Sequence, residues 1–346
     1  MTHAISRRSL LEGCSGLAAG ALMGNAAFAK EPATKQAARM RVIIDNDVAG
    51  DPDGLFQLAH FVMCPSVSIP LVIGTHYRDF GEADLVPEKG RASARKAEEL
   101  LRFFPAMQRP PVIAGNGQPI PSRSQPGTSP ASAAIIREAM RDDVKAPLYY
   151  AAGGSLTEIA LAWLAEPKIG KRLKLLWIGG AEHAGLAIAP AGPGEAEYNF
   201  SLDRLAAQIV FNESDIEIWQ VPRNAFRQML VGVSELEELA RLGPLGRYLR
   251  QQVIQTEARL AKNLPSVIYS QGETYALGDC ALVTLTALQS AFQPDTSSSR
   301  HSLRPTPNLM LDGSYVANPA GRPMRIYDVV DSGLTWRDML AKLRYR

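Results

Sequence analysis

Hydrophobic positions along the chain fall into two alternating kinds of segment. Short runs rich in β-branched residues are followed by longer segments whose apolar residues recur at helical spacing. The short runs predict strands at 41–46, 69–75, 147–152, 173–178 and 215–220, with an added edge strand at 324–330. The longer segments predict helices at 53–64, 90–104, 131–141, 155–166, 201–212, 244–262 and 279–291, and a last helix near 335–343.

This alternation is typical of a mostly parallel sheet covered by helices. Two stretches rich in turn-forming residues interrupt it. Residues 105–130 carry many prolines, glycines and serines, and residues 293–325 are loop-like, with a turn expected at Asp312-Gly313. We therefore predict an α/β fold with an open, mostly parallel, Rossmann-like sheet and helices on both faces. A single domain is expected to occupy residues 41–346.

The first residues of the chain have the pattern of an export leader. Arg7-Arg8 precedes a weakly apolar stretch over residues 16–28, and Ala27-Phe28-Ala29 supplies the small residues of a cleavage site. This pattern predicts a twin-arginine signal peptide over residues 1–29 and delivery to the periplasm. A general secretory signal is the alternative. Glycines interrupt the apolar run, which is shorter than the ~20 residues of a membrane span, so no stable membrane anchor is expected. The polar residues 30–40 predict a linker.

The overall composition describes a folded protein without strong charge. Of its 346 residues, 46% are hydrophobic and 21% are charged, and the formal net charge is +2. These values are ordinary for a globular chain. They give no electrostatic case for nucleic acid or an anionic membrane as partner, so a small molecule is the expected ligand. Beyond the leader, Cys64 and Cys280 lie in apolar helical segments and are expected to be buried free thiols.

Polar or glycine-rich residues follow the predicted central strands. His76 comes after the second strand, Gly153 after the third, and the segment from Gly179 to His183 after the fourth. Ligands of open α/β sheets bind beyond the carboxyl ends of the strands. The chemistry is therefore expected where these loops meet. His76 and His183 are candidate general acids. The alternative is that each is an exposed histidine without a catalytic role.

The loop after the first strand carries four carboxylates within nine positions, at Asp45, Asp47, Asp51 and Asp53. Like charges this close repel each other unless a cation or a substrate lies among them, and clustered oxygen ligands suit Ca²⁺ or Mg²⁺ rather than zinc. An ordinary loop, with an Asx turn at Asp51 and a helix cap at Asp53, is the alternative. That alternative leaves Asp45 and Asp47 unexplained at the end of an apolar strand, so we favour a metal site.

This loop resembles the calcium-binding signature of the inosine-uridine preferring nucleoside hydrolase family, Asp-x-Asp-Pro-Gly-x-Asp-Asp followed by a helix. Three further segments resemble family motifs in the same order: Gly153-Gly154-Ser155-Leu156-Thr157, Glu197-Tyr198-Asn199 and Gly278-Asp279. Together the blocks span about residues 41–290. The resemblance implies a nucleoside hydrolase-like fold and a Ca²⁺-dependent enzyme that releases base and ribose from nucleosides.

The resemblance also implies roles for single residues. Four oxygen donors would hold Ca²⁺, namely Asp47, Asp53, Asp279 and the backbone carbonyl of Gly153. Asp47 would accept the proton of a water that the ion activates. The ribose hydroxyls would be bound by Asp51, Glu197 and Asn199, with Asp45 supporting the loop from behind. Tyr275 is a candidate to stack on the base, with packing as the alternative, and His76 or His183 would protonate the departing base.

The chain departs from the family signature at several points. Pro52 separates Asp51 from Asp53, so the loop must bulge by one residue for them to act as an adjacent pair. Val48-Ala49 replaces Pro-Gly, and Gly278 stands where some members have a histidine that protonates the base. The pattern predicts a divergent, exported branch of the family. Because relatives assemble as dimers or tetramers, a homo-oligomer is one expectation.

Two other functions are compatible with parts of this pattern. The missing histidine and the altered aspartate pair would suit a catalytically impaired periplasmic protein that binds a nucleoside or a sugar. Asp45-Asn46-Asp47 also places two carboxylates two positions apart, as in haloacid-dehalogenase-like phosphatases. Those enzymes have Thr or Ser where this chain has Ala49, so the phosphatase ranks below the hydrolase and the binding protein.

Overall fold

The structure, a computed structural model, describes residues 38–78, 88–190, 196–263, 272–290 and 297–346. The predicted signal peptide over residues 1–29 lies outside the described residues, and so does the linker up to residue 37. Both stay predictions. Within the described residues, no helix is long and apolar enough to cross a membrane.

Twelve strands form within the described ranges. In chain order they are β1 Met40–Asn46, β2 Val67–Gly74, β3 Val112–Ala114, β4 Leu148–Ala152, β5 Leu173–Ile178, β6 Glu217–Val221, β7 Leu230–Gly232, β8 Thr274–Ala276, β9 Arg300–Pro305, β10 Asn308–Leu309, β11 Tyr315–Val316 and β12 Pro323–Val329. Eight of them make one sheet in the order β3-β2-β1-β4-β5-β6-β12-β9. Neighbours in this sheet pair in parallel, except that β12 and β9 are antiparallel. The remaining strands form two antiparallel ribbons, β7 with β8 and β10 with β11.

Helices connect the strands and cover the sheet. In chain order they are α1 Asp53–Val62, α2 Glu88–Leu101, α3 Pro130–Ala139, α4 Thr157–Ala165, α5 Tyr198–Leu202, α6 Arg204–Gln208, α7 Arg223–Phe226, α8 Val233–Arg241, α9 Pro244–Asn263, α10 Ala281–Thr284 and α11 Ser332–Arg344. Short 3₁₀ segments lie at Ala106–Gln108, Pro167–Lys171 and Gly278–Cys280, and a π-helical turn lies at Ile209–Glu213.

Strand β1 illustrates how the sheet acquires two apolar faces. Every residue of β1 is buried. Val42 and Ile44 pack in one hydrophobic core with Leu55 of α1, whereas Ile43 packs in the opposite core with Ile135 of α3. Successive side chains of a strand point to opposite faces. A strand covered on both sides therefore needs a continuous apolar run, which is the pattern that predicted it.

The predicted fold class is confirmed, and the five predicted central strands are observed within two residues of their predicted bounds. The strand predicted over 324–330 exists as β12, but it lies inside the sheet between β6 and β9 rather than at the edge. Strand β9 escaped prediction because its residues are mostly polar and only partly buried, so they resemble the loop predicted over 293–325. Strand β3 escaped because it has three residues within the predicted loop over 105–130.

Two predicted helices are shorter or more divided in the structure than the sequence predicted. The helix predicted over 201–212 is divided into α5, α6 and the π-helical turn. The carboxylate of Asp203 accepts a hydrogen bond from the amide of Ala206 at 2.9 Å and caps α6, so the chain leaves the helical conformation at Asp203. The helix predicted over 279–291 is a 3₁₀ segment followed by α10, which ends at Thr284. Helices α7 and α8 were not predicted.

The carboxyl ends of the central strands lie side by side. Asp45 of β1 is level with Ile73 of β2 and with Ala152 of β4, and Ala152 is level with Trp177 of β5. The chain order reverses between β1 and β4, since β2 and β3 extend the sheet on one side and β4, β5 and β6 on the other. A crevice opens at such a switch point. The acidic loop begins there.

Both cysteines of the described residues are buried free thiols, which confirms the expectation. Cys64 lies just after α1, where its Sγ–H group donates to the carbonyl of His60 at 3.2 Å. Cys280 is the last residue of the 3₁₀ segment that precedes α10.

Candidate active site

The acidic loop turns sharply between β1 and α1. The amide of Gly50 donates to the carbonyl of Asp47 at 2.6 Å. The amide of Asp53 donates to Oδ1 of Asp51 at 3.2 Å, which is the Asx turn that the alternative interpretation expected. Helix α1 then begins at Asp53, and the residue before it, Pro52, offers no side-chain cap. The turn places the carboxylates of Asp47, Asp51 and Asp53 beside one cavity.

That cavity, which we call the acidic cavity, has a volume of about 200 Å³ and opens at the carboxyl edge of the sheet. Residues from all four sequence blocks supply its polar lining: Asp47, Asp51, Asp53, Gly153, Glu197, Asn199 and Asp279. Segments far apart in the chain therefore meet at one place. The structure brings together every residue that was predicted to bind metal or ribose.

Burial and mutual repulsion raise the pKa values of the carboxylates in the acidic cavity. The pKa of Asp47 lies well above its usual value because of burial, and further because of the charges of Asp53 and Asp51. Burial and the charge of Asp279 raise the pKa of Asp53, while burial and the charge of Asp47 raise the pKa of Asp279. A positive charge among these groups would offset both effects. The cavity is therefore suited to a cation.

A short chain of hydrogen bonds holds Asp279 in place. Nδ2 of Asn46 donates to Oδ2 of Asp279 and to Oε1 of Gln57, in both cases at 2.8 Å. A Cβ on Gly54 or Gly153 would lie only 2.4 Å or 2.3 Å from the Asn46 amide, so glycine is needed at both positions. Asn46 and Gln57 thus fix the position of one carboxylate oxygen of Asp279.

Glu197 and Asn199 are held by backbone groups at the start of α5. The carboxylate of Glu197 accepts hydrogen bonds from the amides of Gly180 at 2.7 Å and Asn199 at 3.1 Å. Nδ2 of Asn199 donates to the carbonyl of Ile178 at 2.8 Å and to that of Gly153 at 3.3 Å. These contacts join the ends of β4 and β5 to α5. Both side chains are therefore fixed in orientation at the wall of the acidic cavity.

The sequence profile of the family described as "Inosine-uridine preferring nucleoside hydrolase" matches residues 42–306, which is most of the chain. The chain belongs to this family. Its members hydrolyse the N-glycosidic bonds of nucleosides, so both the predicted family and the predicted class of enzyme, an N-ribohydrolase, are confirmed. No curated protein matches the sequence.

Several solved structures share the fold of this nucleoside hydrolase. A plant nucleoside hydrolase, the PpNRh1 enzyme, aligns with a TM-score of 0.65 at 17% identity, over 89% of this chain and 100% of its own. A purine-preferring ribonucleoside hydrolase from Gardnerella vaginalis aligns with a TM-score of 0.64 at 16% identity, over 88% and 98%. An inosine-uridine preferring nucleoside hydrolase from Bacillus anthracis aligns with a TM-score of 0.60 at 18% identity, over 89% and 100%. At these identities the likeness concerns the fold, which it confirms.

The donors around the acidic cavity fit a hard cation. Asp47, Asp53 and Asp279 offer carboxylate oxygens and Gly153 offers a carbonyl, and oxygen donors of this kind suit Ca²⁺. The raised pKa values of these buried carboxylates call for positive charge, so the donor set fits the ion that the resemblance implies. Within the described residues, no three of these carboxylates bring their oxygens within 4.8 Å of one another.

Asp45 lies behind the acidic cavity and does not line it. Its Oδ2 accepts a hydrogen bond from the hydroxyl of Tyr150, and its Oδ1 has no partner among the described residues. Its carbonyl accepts a hydrogen bond from the amide of Gly153 at 2.9 Å, which ties β1 to the end of β4. This placement agrees with a supporting role. Because Asp45 and Asp47 do not face one cavity together, it does not agree with the phosphatase alternative.

Neither candidate histidine lines the acidic cavity. The ring of His76 is buried, and its nitrogens lie 3.1 Å and 3.3 Å from the carbonyl oxygens of Asn116 and Leu202. Nε2 of His183 lies 2.7 Å from Oε1 of Gln220. Burial lowers the pKa of both rings, to about 4 for His183. At about pH 7 His183 is therefore neutral and lacks the imidazolium proton that a departing base would take.

Apolar side chains that the sequence did not reveal form one wall of the acidic cavity. They are Ile178, Tyr198, Phe226 and Ala276. Ile178 ends β5 and Phe226 closely follows β6, so the rule that ligands bind at strand ends would also have found them. Tyr275 does not line the cavity, but its hydroxyl donates to Oδ1 of Asp51 at 3.4 Å. This hydrogen bond ties Tyr275 to the acidic loop.

Proposed function

We propose that this protein is a Ca²⁺-dependent hydrolase of ribonucleosides that works in the acidic cavity. The observation that carries the proposal is the convergence of four separate sequence blocks on one buried cavity rich in carboxylates. Membership of the family supplies the reaction class, cleavage of the N-glycosidic bond. The metal and the roles of single residues are inferred from the geometry and charge of this chain.

Asp47 is proposed to take the proton from the attacking water. Its carboxylate is buried directly after β1 and lines the acidic cavity beside Asp51 and Asp53. A carboxylate placed there can accept the proton of a water held in the cavity. A bound Ca²⁺ would supply the charge that lowers the pKa of that water. Its proposed ligands are Asp47, Asp53, Asp279 and the carbonyl of Gly153.

Asp51, Glu197 and Asn199 are proposed to bind the ribose hydroxyls. Glu197 and Asn199 are oriented by backbone contacts, so little reorganisation is needed when a sugar enters. Cleavage of the N-glycosidic bond builds positive charge on the ribose, which fixed carboxylates around the ring stabilise. The apolar wall of the cavity provides a surface for the base and excludes water from it.

Neither His76 nor His183 lines the acidic cavity, so we assign neither of them the protonation of the departing base. We therefore expect the enzyme to prefer substrates whose base, or synthetic equivalent, leaves without being protonated. The position of the two histidines also favours a second candidate function. A protein whose described residues place neither histidine in this cavity could bind nucleosides without hydrolysing them.

Ribose release distinguishes the two candidates. The full protein would be assayed with purine nucleosides, pyrimidine nucleosides and a nitrophenyl riboside, in Ca²⁺ and after chelation. We expect Ca²⁺-dependent turnover that is fastest on the nitrophenyl riboside, because its leaving group needs no proton. If no substrate releases ribose while calorimetry detects Ca²⁺-dependent nucleoside binding, the protein is a binding protein and the hydrolase proposal fails.

We also propose that the protein is exported to the periplasm by the twin-arginine route, on the strength of Arg7-Arg8 and the cleavage pattern Ala27-Phe28-Ala29. Fractionation of cells that express the full chain tests this. The wild type is expected in the periplasmic fraction, and the double variant Arg7→Lys, Arg8→Lys in the cytoplasm. Equal export of both forms would instead indicate a general secretory signal.

A further inference from the structure

A second buried polar cluster lies at the opposite end of α1 from the acidic cavity. It consists of His60 and Cys64, at and just after the end of α1, and Asp338 and Lys342 on α11, and we call it the α1–α11 cluster. Nζ of Lys342 donates a hydrogen bond to Sγ of Cys64 at 3.1 Å. The Sγ–H group of Cys64 points to the carbonyl of His60 at 3.2 Å. A thiol sulfur and a side-chain amine are thus in direct contact.

The same cluster contains a carboxylate that pairs with the ammonium of Lys342. Oδ2 of Asp338 contacts Nζ of Lys342 and lies 2.6 Å from Nε2 of His60. Contacts with Cys64 and Asp338 raise the pKa of Lys342, and contacts with His60 and Lys342 lower the pKa of Asp338, so the ammonium proton leaves to solvent rather than to this carboxylate. The side chain of Lys342 is partly exposed, and once neutral its amine has a lone pair to form a bond with sulfur-bound oxygen.

The cluster is partly exposed on the side of α11. Cys64 itself is 3% exposed, but the side chains of Asp338 and Lys342 are 28% and 22% exposed. Hydrogen peroxide is therefore expected to approach the sulfur from the side of α11. Cys280 is fully buried and provides an internal comparison within the same molecule.

We propose that hydrogen peroxide joins Cys64 and Lys342 through an oxygen atom, forming an Sγ–O–Nζ bridge between α1 and α11. The first peroxide oxidises the thiol to a sulfenic acid and releases one water. The second peroxide removes one hydrogen from the S–O–H group and one from the neutral amine. The O–Nζ bond forms and two waters leave. In total two peroxides accept four electrons, three waters are released, and the proton of the Lys342 ammonium passes to solvent.

The separation of the two atoms favours a bridge through oxygen over a direct bond. A sulfenic acid can condense with nitrogen to a sulfenamide, in which sulfur and nitrogen are bonded to each other. That product requires Sγ and Nζ to close from 3.1 Å to a covalent bond length, whereas an inserted oxygen spans most of the gap. The bridge would close a loop between positions 278 residues apart, so it restricts the unfolded chain and should raise Tm.

Mass spectrometry of the full chain after peroxide treatment tests the proposal. One added oxygen and two lost hydrogens give a gain of about 14 Da, whereas a sulfenic acid alone gives about 16 Da. We expect the gain of about 14 Da and a crosslinked peptide pair that contains Cys64 and Lys342. Treatment with a thiol reductant should abolish both the mass gain and the crosslink. Peptide mapping of the wild type assigns the link directly, so the result does not depend on any variant being folded.

Variants supply the controls. Cys280→Ser should form the product as the wild type does, and so should Lys171→Gln, which alters an exposed lysine. Lys342→Gln should give only oxygen additions on Cys64. The proposal is overturned if treated wild type shows only multiples of about 16 Da or a loss of about 2 Da without added oxygen. It is also overturned if the crosslinked peptides do not contain Lys342.

Discussion

The two polar clusters at the ends of α1 differ in how their charge is balanced. In the α1–α11 cluster, Lys342 contacts both Asp338 and Cys64, so the protein supplies its own cation. In the acidic cavity, the charges that act most strongly on Asp47 and Asp53 belong to other carboxylates. Buried charge without a counter-charge is costly. The acidic cavity is therefore the cluster in which we expect an external cation to bind.

In this comparison, the spacing of possible metal ligands and the balance of their charges point to different clusters. Among the described residues, the trio whose ligand atoms all lie within 4.8 Å of one another is His60, Cys64 and Asp338. That trio already has the ammonium of Lys342 beside it. The carboxylates of the acidic cavity are spaced more widely, but their charge is unbalanced. The unbalanced negative charge of the acidic cavity, rather than the spacing of its carboxylates, is therefore the reason to expect a cation there.

The largest effect is expected from Asp47→Asn, which removes a carboxylate of the acidic cavity with almost no change in size. A positioned general base contributes about 10²–10⁴-fold to the rate, so kcat on the nitrophenyl riboside should fall by a factor in that range. The matched control is Asp142→Asn, which alters an exposed carboxylate paired with Arg172. That control should keep wild-type kcat. Equal kcat in both variants would contradict the role of Asp47.

A smaller effect is expected from Asn46→Leu, which keeps the size of the side chain but removes its hydrogen bond to Oδ2 of Asp279. Groups that orient a metal ligand typically contribute about 10–100-fold to metal affinity, so the Kd for Ca²⁺ should rise by that factor. Isothermal titration calorimetry measures it. Asn308→Leu, on an exposed part of the chain, is the control. An unchanged Kd in Asn46→Leu would mean that Asn46 does not position Asp279.

Lys342→Met removes the positive charge of the α1–α11 cluster. It should lower the free energy of unfolding and leave the Kd for Ca²⁺ unchanged. Loss of one partner of a fully buried ion pair costs about 3–5 kcal/mol. The side chains of Lys342 and Asp338 are 22% and 28% exposed, which reduces the expected loss to about 1–2 kcal/mol. Urea denaturation measures the free energy of unfolding. If the Kd for Ca²⁺ rises as it does in Asn46→Leu, the two clusters are not independent.

The smallest effect is expected in the pH dependence of the protein without Ca²⁺. The folded-state pKa values of Asp47 and Asp279 lie above their ordinary values, so the folded protein binds more protons than the unfolded chain. Stability should therefore fall as the pH rises from about 4 towards neutrality, and Ca²⁺ should remove this fall. The measurement is Tm of wild type and of Asp279→Asn across that range. A wild-type Tm that rises relative to the variant would contradict the expected sign.

Two parts of the molecule show what sequence patterns can and cannot predict. β1 and the acidic loop were predictable because a strand buried on both faces is continuously apolar, and four carboxylates at its end stand out against that run. β9 was not, because the residues of this partly exposed edge strand are mostly polar. Its place in the sheet comes from pairing with β12, which is a long-range contact rather than a local pattern.

The candidate site shows the same contrast. The residues predicted to bind metal and ribose line one cavity, and the sequence pointed to them because each belongs to one of four short motifs. His76 also follows a strand end, but its ring is directed to the carbonyls of Asn116 and Leu202. The direction of a side chain depends on which backbone groups, distant in sequence, lie close enough to form hydrogen bonds with it. The position of a residue in the sequence does not predict these partners.

Calorimetric titration of the chelator-treated protein with Ca²⁺ tests most directly whether the acidic cavity requires a cation. We expect one ion to bind per chain, with binding lost in Asp279→Asn and kept in Lys342→Met, because only the first variant alters the cluster whose charge is unbalanced. No binding of Ca²⁺ to the wild type, or binding of equal affinity in Asp279→Asn, would contradict this account.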